Sequence, residues 1–100
     1  MPDQQLLVLM VPSELKDDVV DALICCETIS GFNMQTIAGF SREHSQYNLR
    51  EQVEGHREYF QFEVMHLLQQ EQALLDSLRP VCASAHIRYW VVPVLSQGHI

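Results

Sequence analysis

The sequence predicts an α+β fold in which two helices cover one face of a four-stranded antiparallel sheet. Segments with strand and helix periodicity occur in the order strand, helix, strand, long loop, strand, helix, strand. These form two strand–helix–strand halves in tandem, the arrangement of the ferredoxin-like, split βαβ architecture (βαββαβ). Connection rules place the first and third strands in the centre. We expect residues 1–100 to form a single domain.

The first half of the chain predicts a buried strand and an amphipathic helix. Residues 6–11 are a continuous apolar run bounded by Pro12, which is typical of a central strand covered on both faces. Ser13 is the expected N-cap of the helix, which should run to about residue 26 or 27, and Gly31 is its expected terminator. The apolar stripe of this helix consists of Leu15, Val19, Ala22, Leu23 and Cys26.

A hairpin with a long connection occupies the middle of the chain. In its first arm, residues 32–40, every second side chain from Phe32 onward faces one way. In its second arm, residues 59–65, Phe60, Phe62 and Val64 share a face. Residues 41–58 between the arms show no apolar period, and a simple hairpin needs only about two to five connecting residues. A connection this long indicates a functional or disordered segment.

A second helix and a fourth strand complete the pattern. Residues 67–79 are rich in helix formers, and Pro80 is expected to end or kink that helix. Residues 85–95 carry apolar side chains on both faces, and Pro93 indicates an edge strand or a bulge near the end of the strand.

Two helices bury only one face of a four-stranded sheet, so the other face keeps apolar side chains. The first strand contributes either Leu6, Val8 and Met10 or the residues of its other face, Leu7, Leu9 and Val11. The last strand contributes either Trp90, Val92 and Val94 or Ile87, Tyr89 and Val91. The apolar area of such a patch exceeds what a soluble monomer normally exposes to water. Proteins usually bury a patch of this kind against further copies of the same chain, related by symmetry. The sequence therefore predicts a homo-oligomer.

Composition and missing motifs exclude several classes of protein. A formal charge of −7 disfavours nucleic acid as a partner. No apolar stretch is long enough to insert into a membrane, no signal peptide is evident, and three cysteines without a CxxC spacing are expected to be reduced. We therefore expect a cytoplasmic protein. Gly-rich phosphate loops and Ser/His/Asp or Cys/His arrangements are absent from the sequence.

The 41–58 loop concentrates charge. It holds half of the basic residues of the chain, Arg42, Arg50 and Arg57, among four glutamates. Mixed charge is typical of a solvated, mobile segment and equally of one that folds onto a partner. Side chains suited to zinc or copper(II) are also present, and the candidate metal ligands are His44, Glu54 and His56. Their spacing matches no established ligand pattern, so this metal site is a hypothesis.

The layout of the whole chain resembles the PII-like superfamily, which includes the nitrogen-regulatory PII proteins and the cation-tolerance protein CutA. The resemblance is carried by the first strand and helix start at 6–15 (LLVLMVPSEL), the 41–58 loop at the position of the T-loop, and the closing strand at 86–94 (HIRYWVVPV). Within the superfamily the chain looks most like an uncharacterised group of about this length that is often encoded beside heavy-metal efflux pumps.

The resemblance implies a homotrimer whose T-loops engage a membrane transporter in response to a small ligand. It implies partner binding by the loop residues Arg42, Tyr47, Arg50 and Arg57. PII proteins bind adenine nucleotides partly through a Gly-rich basic loop before the last strand. Here that connection, residues 79–84, has no Gly and one Arg, which disfavours adenine nucleotides.

These observations favour a non-enzymatic regulator that senses a small molecule or a divalent metal. One alternative is a small ferredoxin-like enzyme with a pocket between sheet and neighbouring subunit, lined by Glu63, His86 and Trp90. Another is a structural adaptor without a ligand. Glu63 has two interpretations, a buried carboxylate under a covered face or the ion-pair partner of Arg88.

Overall fold

The computed structural model describes residues 3–40 and 57–100. Its four strands form one antiparallel sheet in the order β2–β3–β1–β4, which confirms the predicted fold and central strands. The strands are β1 Gln4–Pro12, β2 Asn33–Gly39, β3 Arg57–Leu67 and β4 Arg88–Pro93. The helices are α1 Lys16–Ile24 and α2 Glu71–Cys82, and 3-10 turns cover Ser13–Leu15, Leu68–Gln70 and Ala83–Ala85.

The hydrophobic core lies between α1, α2 and one face of the sheet, which we call the helix face. Alternate residues of β1 and β3 point into it, together with the predicted stripe of α1 and two leucines of α2. Phe62 is the largest fully buried side chain, and its ring centroid lies 6.1 Å from that of Phe32. The buried core residues are Leu7, Leu9, Val11, Val19, Leu23, Cys26, Phe62, Val64, Leu74 and Leu78.

The ends of α1 differ from the prediction. Ser13 is not the N-cap, because a 3-10 turn begins there and the Ser13 hydroxyl donates to Glu14 Oε2 at 3.5 Å. The extended residue before the turn is Pro12, which has no N–H and a fixed φ suited to leaving a strand. The helix ends at Ile24, where the N–H of Cys25 donates to Asp21 O at 3.1 Å, well before Gly31.

The start and end of α2 also differ from the prediction. Strand β3 continues to Leu67, whose N–H donates to Gln70 Oε1 at 3.1 Å, so the α-helix begins only at Glu71. Pro80 lies inside α2, which continues to Cys82. A proline this near the end of a helix removes one backbone hydrogen bond of the last turns, and its φ is already compatible with helix.

Candidate functional site

The β2–β3 hairpin extends past the end of β1. The last residue pair between β1 and β3 is Pro12–Tyr59, whereas β2 and β3 continue to pair as Ala38–Glu58 and Gly39–Arg57. We call these two outer pairs the hairpin base. The predicted 41–58 loop is therefore shorter at its far end, because its last two residues are strand. The hairpin base lies at the end of the sheet where α1 begins and α2 ends.

Most of the predicted site residues fall in the connection beyond the hairpin base. Six of them lie outside the described residues and stay predictions: Arg42, His44, Tyr47, Arg50, Glu54 and His56. Arg57 is the first residue of β3, and its backbone pairs with Gly39. The predicted mobility of the loop also falls on this undescribed part.

The second candidate surface is the face of the sheet opposite the helices, the open face. The register sets side chains in rows across it: Met65, Leu6 and Val92 in one row, and Glu63, Val8 and Trp90 in the next. Val8 is only 5% exposed because its neighbours surround it, whereas Met65, Trp90 and Val92 are each exposed by close to two fifths. Of the two predicted phases of the last strand, the one with Trp90 and Val92 outward is confirmed.

The charged residues of the open face lie on either side of β1. Glu63 lies opposite Val8 on β3, and Arg88 lies opposite Met10 on β4, so β1 runs between them. The register therefore does not place Glu63 and Arg88 as direct neighbours, and the alternative of an ion pair between them stays a prediction. The Arg88 guanidinium instead lies 5.6 Å from the ring centroid of Trp90, within cation–π range.

A cavity of about 190 Å³ lies between the end of α2 and β4, and we call it the α2 cavity. It is lined by Leu9, Leu75, Leu78, Arg79, Cys82, Ala83, His86, Ile87 and Tyr89. Burial raises the pKa of the Cys82 thiol, which keeps it protonated and inert at neutral pH. Arg79 Nε donates to Asp76 Oδ1 at 3.1 Å, so its guanidinium already has a carboxylate partner.

The three residues of the predicted enzyme pocket lie on opposite faces of the sheet. His86 lines the α2 cavity on the helix face, with a left-handed backbone at φ 50°, whereas Glu63 and Trp90 lie on the open face. Within one protomer these three side chains do not form a common pocket. The sequence did not single out this cavity, because Leu75, Leu78 and Cys82 follow the same helical spacing as core residues.

His66 is the buried polar side chain of the core, only 2% exposed. Its Nδ1 lies 3.3 Å from Val64 O and its Nε2 lies 3.1 Å from Gln5 Oε1, so both ring nitrogens have partners. A buried polar group with both partners in place stabilises the fold without indicating a ligand.

The cysteines are all free, as predicted. Partial burial raises the pKa of the Cys26 thiol, but hydrogen bonds with Thr28 and Ser77 outweigh it and hold that pKa below its ordinary value. The Cys26 Sγ lies 3.2 Å from Thr28 Oγ1 and 3.8 Å from Ser77 Oγ. In residues 3–40 and 57–100, no cluster of three or more His, Cys, Asp or Glu side chains is placed to hold a metal ion.

No helix in the part of the chain that the structure describes combines the length and apolarity needed to cross a bilayer. No curated protein matches the sequence.

Solved structures share the fold along the whole chain. A DUF3240 family protein from Shewanella baltica OS155 is 42% identical, with a TM-score of 0.83 over 100% of this chain and 99% of that one. Arabidopsis thaliana PII bound to citrate is 13% identical, with a TM-score of 0.70 over 94% of this chain and 77% of that one. A Bacillus cereus protein related to NIF3 is 14% identical, with a TM-score of 0.71 over 98% of this chain but only 27% of its own length.

The two more distant similarities establish the fold alone, and that fold is the PII-like one predicted from the layout of the sequence. The family model described as "Protein of unknown function (DUF3240)" matches residues 1–100. Full coverage by this model, together with the Shewanella baltica structure, shows that the chain belongs to the DUF3240 family.

Proposed function

We propose that this chain is a non-enzymatic PII-like regulator that assembles as a homotrimer and acts on a partner protein through its 41–58 loop. The signal it senses is a small ligand or a divalent cation. The partner that best fits the resemblance is a membrane transporter such as a heavy-metal efflux pump, contacted from the cytoplasm. The observation that carries the proposal is the hairpin base, whose two residue pairs extend β2 and β3 past the end of β1.

The hairpin base is suited to hold a loop away from the protein body. Its two residue pairs continue the β2–β3 ladder beyond Pro12, so backbone pairing keeps the strand residues on either side of the connection next to each other. A fully extended chain spans about 3.4 Å per residue, so residues 41–56 can reach on the order of 25 Å out and return. That reach is enough to enter a groove on a partner.

The open face supports the proposed assembly. Three exposed apolar side chains, Met65, Trp90 and Val92, surround the already buried Val8. Covering them with further copies of the chain removes apolar surface from water, which favours association. Burial alone does not distinguish a dimer from a trimer, and the number three rests on the resemblance to PII proteins.

The α2 cavity is the described region best placed to take a small ligand. It opens at the same end of the sheet as the hairpin base, beside Cys82 and His86. Its lining is mainly apolar and its arginine already donates to Asp76. This environment favours a small, mostly apolar molecule over an adenine nucleotide, whose phosphates need free donors.

If the sensed signal is a divalent cation, the loop histidines are its expected ligands. Zinc or copper(II) titrated into the wild-type protein should bind, and the double variant His44→Ala/His56→Ala should lose at least about tenfold in affinity, since imidazole suits both metals. Isothermal titration calorimetry measures the difference. The control is His99→Ala, which removes an exposed histidine outside the loop and should leave the affinity unchanged. Equal affinity in wild type and the loop variant would remove the loop as the metal site.

Limited proteolysis tests whether the loop is accessible to a partner. Trypsin should cut first after Arg42 or Arg50, because the loop lacks the regular apolar period of a packed element and a protease needs an extended, reachable backbone. Mass spectrometry of the first fragments identifies the cut, and the two pieces should stay associated. First cleavage after Arg88, which lies in β4, would contradict the proposed role of the loop.

A further inference from the structure

The α2 cavity combines an apolar floor with a basic mouth. Leu9, Leu78 and Ile87 form its buried or half-buried side, whereas Arg79 and His86 are exposed. The chain has 13 acidic residues and a formal charge of −7, yet no Asp or Glu is among the described residues that line the cavity. In an acidic protein, a cavity with this lining favours an anion that also has an apolar part.

Arg79 is oriented by a hydrogen-bond network and keeps donors to spare. Its Nε donates to Asp76 Oδ1 at 3.1 Å, and Gln72 Nε2 donates to the same oxygen at 3.0 Å. Among the described residues, Asp76 is the only partner of Arg79. A guanidinium carries several N–H donors, so the terminal nitrogens of Arg79 can bind a further carboxylate. This capacity suits a single carboxylate better than a chain of phosphates.

His86 has a backbone conformation that is unfavourable for a residue with a side chain. Its φ of 50° is the one positive φ of a non-glycine residue in the described part of the chain, and it follows the 3-10 turn Ala83–Ala85. Glycine adopts this conformation at the end of a helix without the steric cost. A histidine here places an imidazole, with an N–H donor in either tautomer, at the cavity. An unfavourable backbone beside a cavity points to a binding role for the side chain.

The volume of the α2 cavity limits the size of the ligand. It is about 190 Å³, whereas pockets for drug-sized ligands have about 300–1,000 Å³. The side chains of Leu9, Leu78 and Ile87 offer no hydrogen-bond partner, so a charged group has to stay at the mouth. A short hydrocarbon body against the floor removes apolar surface from water.

We propose that the α2 cavity binds a small monocarboxylate with a short hydrocarbon body, whose carboxylate accepts hydrogen bonds from Arg79 and His86. The hydrocarbon body lies against Leu9, Leu78 and Ile87. This inference rests on the proposed function, because it specifies the chemical class of the small ligand that the regulator senses.

NMR titration of the full chain with three probes tests the ligand class. Hexanoate has both parts of the ligand, acetate has only the carboxylate, and hexanol has only the hydrocarbon body. Hexanoate should shift the amide resonances of the cavity lining and bind at least about tenfold more tightly than either of the others. Equal affinity for hexanol would overturn the role of the carboxylate, and equal affinity for acetate would overturn the apolar floor. No binding of hexanoate, or shifts confined to another surface, would overturn the site.

Two variants test the residues at the mouth. Arg79→Gln should weaken hexanoate binding at least about tenfold, because it removes a charge-assisted hydrogen bond. The matched control, Lys16→Gln, removes another cation that contacts an aspartate, and it should leave the affinity unchanged. His86→Gly should weaken binding while the Tm stays the same or rises, because glycine adopts the left-handed backbone more readily.

Unchanged affinity in Arg79→Gln or in His86→Gly would overturn the proposal, and so would an equal loss in Lys16→Gln. The proposed function fails on different results. If hexanoate does not bind, this ligand class alone is rejected. A monomeric mass of the wild-type protein, or first tryptic cleavage after Arg88, rejects the proposed function instead.

Discussion

Replacing Trp90 with Glu is expected to convert the proposed trimer into monomers while each protomer stays folded. Trp90 lies on the open face beside Val8, and it is 39% exposed in the isolated chain. Buried tryptophans are the commonest energetic centres of protein interfaces, and losing one costs about 2 kcal/mol or more. That corresponds to about a thirtyfold weaker association. A carboxylate left without a partner in the covered face adds a desolvation cost.

Light scattering on a sizing column at micromolar concentration measures the mass, and circular dichroism checks the fold. The matched control is Ile24→Glu, which places the same carboxylate on an exposed apolar position of α1, away from the open face. It should leave the mass unchanged. If Trp90→Glu keeps an oligomeric wild-type mass, the open face is not the assembly surface. If the wild-type protein is itself a monomer, the proposed assembly is wrong.

The sequence was sufficient for the topology because its periodic segments are strongly patterned. The run 6–11 is apolar throughout, and the structure places it in a central strand with one neighbour on each side. The alternation around Phe62 put that residue on the buried face, where it is fully excluded from water. Each of these inferences depends on side-chain periodicity, which the chain shows along whole elements.

Element ends were less predictable, since they depend on single hydrogen bonds that periodicity does not encode. The sequence could not show that Gln70 would accept from the N–H of Leu67 and delay α2, or that α1 would close at Ile24. The start of β3 at Arg57 is not predictable for a related reason: Arg57 and Glu58 are both charged, so the first two residues of the strand show no apolar alternation.

The candidate site was only partly predictable. Which phase of β4 faces outward followed from the pairing register, and the sequence left two choices open. His86 was assigned to a pocket with Glu63 by strand position, but it precedes β4 in a left-handed turn and lines the α2 cavity instead. Contacts between distant segments decide both cases, and no local pattern records them.

Replacing Phe62 with Ala is expected to give the largest loss of stability in this chain. Phe62 is 0% exposed, lies opposite Leu9 and Met34 on the two neighbouring strands, and contacts Phe32 through its ring. Truncating a buried phenylalanine removes its transfer free energy and leaves a cavity, at a cost of about 3–5 kcal/mol. The free energy of unfolding of a domain this size is about 5–15 kcal/mol, so the variant should be close to unfolding at 37 °C.

Urea unfolding at one fixed protomer concentration measures this loss, because an oligomer's apparent stability depends on concentration. Leu95→Ala is the control: it truncates an apolar side chain just beyond β4, at a position 87% exposed. Its effect should be about 0.5 kcal/mol or less, as for most surface substitutions. Similar losses in the two variants would mean that Phe62 is not the centre of the core. If only Phe62→Ala lowers the free energy of unfolding, packing of β3 against the helices is a main source of stability. Strand β3 also forms one side of the hairpin base.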